Sequence, residues 1–81
     1  MVPQMQDFIN TIKNAERGQL FVQPDGRLMF LETKTLPPPY TSADTLTTHY
    51  GPEPLMTSNT SYTLFLARVE AMLTLKGWDW E

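Results

Sequence analysis

The 81-residue chain contains no cysteine. That one absence removes a disulfide framework, thiolate catalysis and cysteine-based zinc sites, and it leaves stability to packing. No window approaches the ~18 consecutive apolar residues of a membrane span, and the start, MVPQMQDF, has neither a basic stretch nor the apolar run of a signal peptide. A cytoplasmic or virion-associated protein is expected. Basic residues are also scarce, six in all, standing singly at Lys13, Arg17, Arg27, Lys34, Arg68 and Lys76. They form no stripe able to neutralise a row of phosphates, so no direct nucleic-acid partner is expected. The nine acidic residues are equally dispersed, and a net charge of −3 is ordinary for a soluble surface.

The inventory for catalysis is equally thin. Gly18, Gly26, Gly51 and Gly77 are isolated, so no glycine-rich loop cradles a phosphate. His49 is the lone histidine; Asp44 and Glu53 lie near it, but a metal site needs three or four ligands, and nucleophilic catalysis needs a positioned nucleophile. Asp25 falls in a turn, Glu32 on a strand and Glu70 on the polar side of a helix, with nothing in the spacing to pair two carboxylates. Neither a metal nor a cofactor is expected, and the chain reads as non-enzymatic.

What is present is a small folding domain. With 41% apolar and 19% charged residues, the chain stands clear of the polar, highly charged regime of disordered sequences. Eighty-one residues suffice for one core and not for two. From Pro3 to Arg17, Met5, Phe8, Ile9, Ile12 and Ala15 recur at three- and four-residue spacing and predict a helix. Pro3 suits its first position, and Gly18 is expected to end it in the left-handed conformation. QLFVQ, then PDG, then RLMFLETK predict a hairpin with a bulge at Gly26. Leu20 and Val22 share one face of it with Phe21 opposite; Leu28 and Phe30 likewise oppose Met29 and Leu31. Both faces are therefore apolar, and one is expected to meet the helices while the other meets more of this chain or another protein.

Residues 35–60 form a long segment rich in Pro, Thr and Ser. Structureless loops beyond about 12–15 residues are uncommon inside compact domains. Thr45 to Tyr50 as a third strand is the favoured reading, with a helical turn from Ser42, or ordering by a partner, as the alternatives. SYTLFLARVEAMLTLKG then predicts a closing helix with Tyr62, Phe65, Leu66, Val69, Met72 and Leu73 on its core stripe, capped near Asn59, Thr60 or Ser61 and ended by Gly77. The expectation is a single α+β domain over residues 1–81, with two helices packed on a β-hairpin that recruits a third short strand, in the order α-β-β-loop-α.

Three features remain to carry function. Leu64, Ala67, Ala71 and Leu75 extend the apolar character of the last helix beyond its core stripe, more than so few elements can comfortably cover. The ending GWDWE holds two tryptophans: Trp78 is expected to pack on the helix as part of a Schellman motif, and Trp80 to be free for a partner's pocket. Pro37, Pro38, Pro39 and Tyr40 resemble the short proline-tyrosine ligands of WW domains, against which stands a plain rigid exit from the hairpin. Together these predict a protein-interaction module, an accessory subunit or inhibitor of the kind a phage or other virus would use, that occupies a surface of a larger partner. The alternatives are a structural protomer of a homo-oligomeric or viral assembly, and display of the proline-tyrosine motif.

Overall fold

A computed structural model describes residues 3–39, 44–55 and 59–80. The element order is α1 (Pro3–Asn14), β1 (Arg17–Val22), β2 (Leu28–Lys34), β3 (Thr45–Tyr50) and α2 (Thr60–Lys76), an α+β fold with a three-stranded antiparallel sheet in the order β1-β2-β3. The third strand is the one predicted over 45–50, while the alternative turn from Ser42 lies outside the described residues.

The hairpin forms as its turn residues require. The Gly26 amide donates to the Gln23 carbonyl at 2.9 Å, and Gly26 has a φ of 83°, open to glycine at no steric cost. The Asp25 side chain accepts from the Arg27 amide at 2.9 Å, which fixes the bulge. Cross-strand register follows, with Leu20 opposite Phe30 and Phe30 opposite His49. Alternation then assigns Leu20, Leu28, Phe30, Glu32 and His49 to one face, and Phe21, Met29, Leu31, Leu46 and Tyr50 to the other.

Among the described residues only the first of these faces is covered. Met5, Phe8, Ile9, Ile12 and Ala15 of the first helical segment and Tyr62, Phe65, Val69 and Leu73 of α2 bury themselves with Leu20, Leu28 and Phe30 in one core. Its centre is aromatic: Phe8 meets Phe30 edge-on at 6.5 Å between ring centroids and Phe65 at 5.9 Å, a geometry favoured by ring quadrupoles.

Gly18 corrects the expected helix end. It lies inside β1 without a positive φ, and α1 stops at Asn14. A Cβ at Gly18 would stand 2.2 Å from Phe30 Cζ and 2.9 Å from the Leu31 carbonyl oxygen. The residue is glycine because the Phe30 ring lies across the strand there, not because a helix needs a left-handed cap.

The ends of α2 are built as read. The Asn59 side chain accepts from the Tyr62 amide at 3.0 Å. At the other end Gly77 takes a φ of 70°, its amide donating to Thr74 at 3.2 Å while the Trp78 amide donates to Leu73 at 3.0 Å. Those two bonds define a Schellman motif. It turns Trp78 back onto the sheet, where its ring stacks on Phe30 at 5.9 Å and 20°, under the Lys76 ammonium at 4.6 Å from the ring centroid. Two residues later Trp80 makes a parallel bridge with Leu20, so the chain's end lies along the outer edge of β1.

Candidate interaction surfaces

α2 carries two apolar stripes. Tyr62, Phe65, Val69 and Leu73 are buried, while Leu64, Ala67, Ala71 and Leu75 recur at similar spacing on the far side and are exposed. Leu64 retains 61% of its surface and Leu75 87%. Leu64, Ala67 and Ala71, with Ser61 and Arg68, line a groove of about 590 Å³ whose opposite wall is Met5 of α1. Leu75 continues the stripe one turn beyond it. The core closes completely at Phe65 and Val69 without any contribution from these four residues.

The other residues singled out by sequence are not brought to this groove. Trp80 keeps 37% of its surface and borders a shallow recess of about 260 Å³ with Glu70, Leu73, Thr74 and Trp78. Its backbone is engaged with β1, so it is less free than an unattached terminus. Pro37, Pro38 and Pro39 are exposed at the exit of β2, and the Pro38–Pro39 peptide is cis. Tyr40 lies outside the described residues.

Several ionisable groups are committed to neighbours. Glu32 is buried on the covered face of the sheet, with its carboxylate 2.6 Å from His49 Nε2 and 3.4 Å from Lys34 Nζ. The His49 ring in turn stacks on Phe30, 6.4 Å away. Sequence spacing did not pair these two. Glu32 shares the alternation of Leu28 and Phe30, which points it inward, but its partner is set by the β2–β3 register, with His49 diagonal to it across the strands.

A cleft of about 530 Å³ lies between the starts of the two helices and the chain after β3. Arg27 crosses it, donating to the Gly51 carbonyl at 2.7 Å, approaching Glu53 at 3.3 Å and lying 5.4 Å above the Tyr50 ring. Tyr62, also on this cleft, donates its hydroxyl to the Gly26 carbonyl at 2.9 Å. Burial, and secondarily the Asp25 carboxylate, push its pKa above the ordinary value of 10.0, with Arg27 partly opposing them. His49 does not line this cleft; it lies on an open groove of about 400 Å³ between α1 and β3. Among the described residues no group of three or more His, Asp or Glu side chains is placed to hold a metal ion, and no helix is long and apolar enough to cross a membrane.

Comparisons of the chain with family models, curated proteins and solved structures find no match.

Proposed function

We propose that this protein is a non-enzymatic interaction module, an accessory subunit or inhibitor in a cytoplasmic or virion-associated setting, that covers a surface of a larger protein with the outer face of α2. The observation that carries this reading is the exposed stripe of Leu64, Ala67, Ala71 and Leu75 beside a groove of about 590 Å³, on a helix whose opposite side already completes the core. Two small residues between two leucines give a shallow seat with apolar ends, the form into which an amphipathic helix docks. The titratable groups favour the same reading, because Glu32, His49, Arg27 and Lys76 are each occupied in holding the fold together.

The same stripe favours a second reading, a protomer of a homo-oligomer. Leu64 and Leu75 flank Ala67 and Ala71 along the stripe, so an antiparallel copy of α2, related by a two-fold axis near residues 69 and 70, would set leucine beside leucine. One experiment separates the readings. Wild-type protein and the Ala67→Glu/Ala71→Glu variant are compared by sedimentation velocity and by capture from host lysate with mass measurement of the complex. A defined partner held by the wild type and lost by the variant supports the module; a defined oligomer that the variant dissolves supports the protomer. A monomer whose captured partner is indifferent to the variant overturns both.

A further inference from the structure

The two edges of the sheet are treated differently. Along β1 the outer edge is met by Trp80, bridged to Leu20. Along β3 no strand, helix or loop among the described residues pairs with the outer edge. The Gly51 amide donates to the Leu28 carbonyl at 2.8 Å, which marks 51–28 as a hydrogen-bonded pair. In an antiparallel ladder such pairs alternate, so the backbone groups of Leu46, Thr48 and Tyr50 point away from β2. Folds normally blunt a bare edge with lysine, proline or a bulge, and TLTTHY has none of the three.

What flanks that edge differs on its two sides. Toward the uncovered face lie Leu46 and Tyr50, which retain 67% and 54% of their surface, with Met29 and Leu31 half-buried behind them. Toward the helices lies the open groove of about 400 Å³, lined by Gln4, Asp7, Phe8 and Thr11 of α1 and by Thr48, His49 and Tyr50 of β3. Asp7 is exposed and its carboxylate has no ion-pair partner among the described residues. A strand laid along β3 therefore sends one row of side chains onto an apolar surface and the other row toward an unpaired carboxylate, on a molecule of net charge −3.

We propose that the outer edge of β3 and the groove between β3 and α1 form a docking site for an extended segment of a partner protein with alternating apolar and basic side chains, added as a fourth strand of the sheet. Main-chain bonds to Leu46, Thr48 and Tyr50 supply the affinity, and the two rows supply the selectivity. This surface is separate from the outer face of α2 and does not depend on it.

The probe is a blocked ten-residue peptide alternating valine and lysine, compared with a valine–glutamate version and a peptide of five valines followed by five lysines. Amide hydrogen exchange of the full chain is followed by NMR. The alternating valine–lysine peptide is expected to slow exchange at Leu46, Thr48 and Tyr50 roughly tenfold at ten times its dissociation constant, and the block peptide is expected not to. Thr48→Pro deletes an outward-facing donor, a substitution edge strands tolerate, and is expected to abolish binding with an unchanged melting temperature. Should that variant not fold, Asp7→Lys is expected to weaken the lysine peptide by roughly fivefold and to strengthen the glutamate one. No protection at these amides, equal binding of the lysine and glutamate peptides, or protection that rises with protein concentration alone, which would place a second copy on the edge, overturns the proposal.

Discussion

Replacing Gly18 by alanine tests the central packing relation of the fold. The added methyl would stand 2.2 Å from Phe30 Cζ, 2.5 Å from Phe30 Cε1 and 2.9 Å from the Leu31 carbonyl oxygen. Ordinary carbon contacts begin near ~3.5 Å, so something must shift by about an ångström. The ring cannot swing freely: Phe30 is fully buried, with Trp78 stacked on it, Phe8 against its edge and His49 alongside. The carbonyl is part of the β1–β2 ladder and cannot yield without loosening it. Overpacking of this kind costs about 1–3 kcal/mol, and for a domain of this size each kcal/mol lowers the melting temperature by roughly 4–8 °C. Gly18→Ala is therefore expected to melt about 5–20 °C below the wild type by circular dichroism, with a changed tryptophan emission as Trp78 is displaced. Phe30→Leu removes the atoms in conflict. Although it is itself destabilising, it should reduce the cost of Gly18→Ala by about 1 kcal/mol or more in a double-mutant cycle. A Gly18→Ala protein that melts within 2 °C of the wild type, or two substitutions whose costs simply add, would refute the account of why glycine stands there.

The two terminal tryptophans should separate in thermal melts. Trp78→Ala is expected to cost about 2–3 kcal/mol, below the range for a fully buried tryptophan because its ring is only half-buried. Trp80→Ala, whose strand bridge is made by backbone, is expected to cost under about 1 kcal/mol; the reverse order would place the packing role on the wrong residue. Glu32→Ala leaves His49 without its buried acceptor and is expected to cost about 2 kcal/mol, whereas Glu32→Gln keeps an acceptor and should cost less than half of that; equal losses would show that shape rather than hydrogen bonding matters there. Tyr62 supplies a pH signature. Its raised pKa means that the folded state holds the phenol proton where the unfolded state has lost it, so its contribution is intact below pH 10.0 and declines as pH rises from there through the folded value. Tyr62→Phe should flatten that alkaline decline in urea titrations at successive pH values, and an unchanged slope would assign the decline to other groups.

How much of this was legible from sequence follows the range of the interaction involved. The hairpin turn, the Asn59 cap and the Gly77–Trp78 motif are decided within about six residues of chain, and each reads directly from residue type. Gly18 shows where such reading fails. An isolated glycine three residues after Ala15 fits a helix end and a crowded strand equally well, and the deciding contact comes from Phe30, twelve positions on. Glu32 shows the intermediate case: alternation with Leu28 and Phe30 turns it inward, yet His49 becomes its partner only through the β2–β3 register. The Trp80 bridge was illegible for the same reason as the Gly18 contact, because it joins Leu20 to a residue sixty positions on. The exposed stripe on α2 was legible because it depends on counting apolar residues against available cover, and the bare edge of β3 was not, because an edge exists only once strand order is known.

Architecture then explains why the apolar surplus cannot be absorbed. A domain with one helical layer on one sheet has two inner faces and two outer ones. The inner faces are filled here by Phe8, Ile12, Phe30, Phe65 and Val69. Leu64 and Leu75 on one outer face, and Leu46 and Tyr50 on the other, have no third layer to reach among the described residues. Burying either set would require a further element from this chain, and the described segments leave none unassigned. Lone exposed apolar residues need no explanation, but these are aligned, on α2 by helical spacing and on the sheet by register. Alignment of that kind forms a continuous apolar seat, which is why both proposed docking surfaces lie at the outer faces.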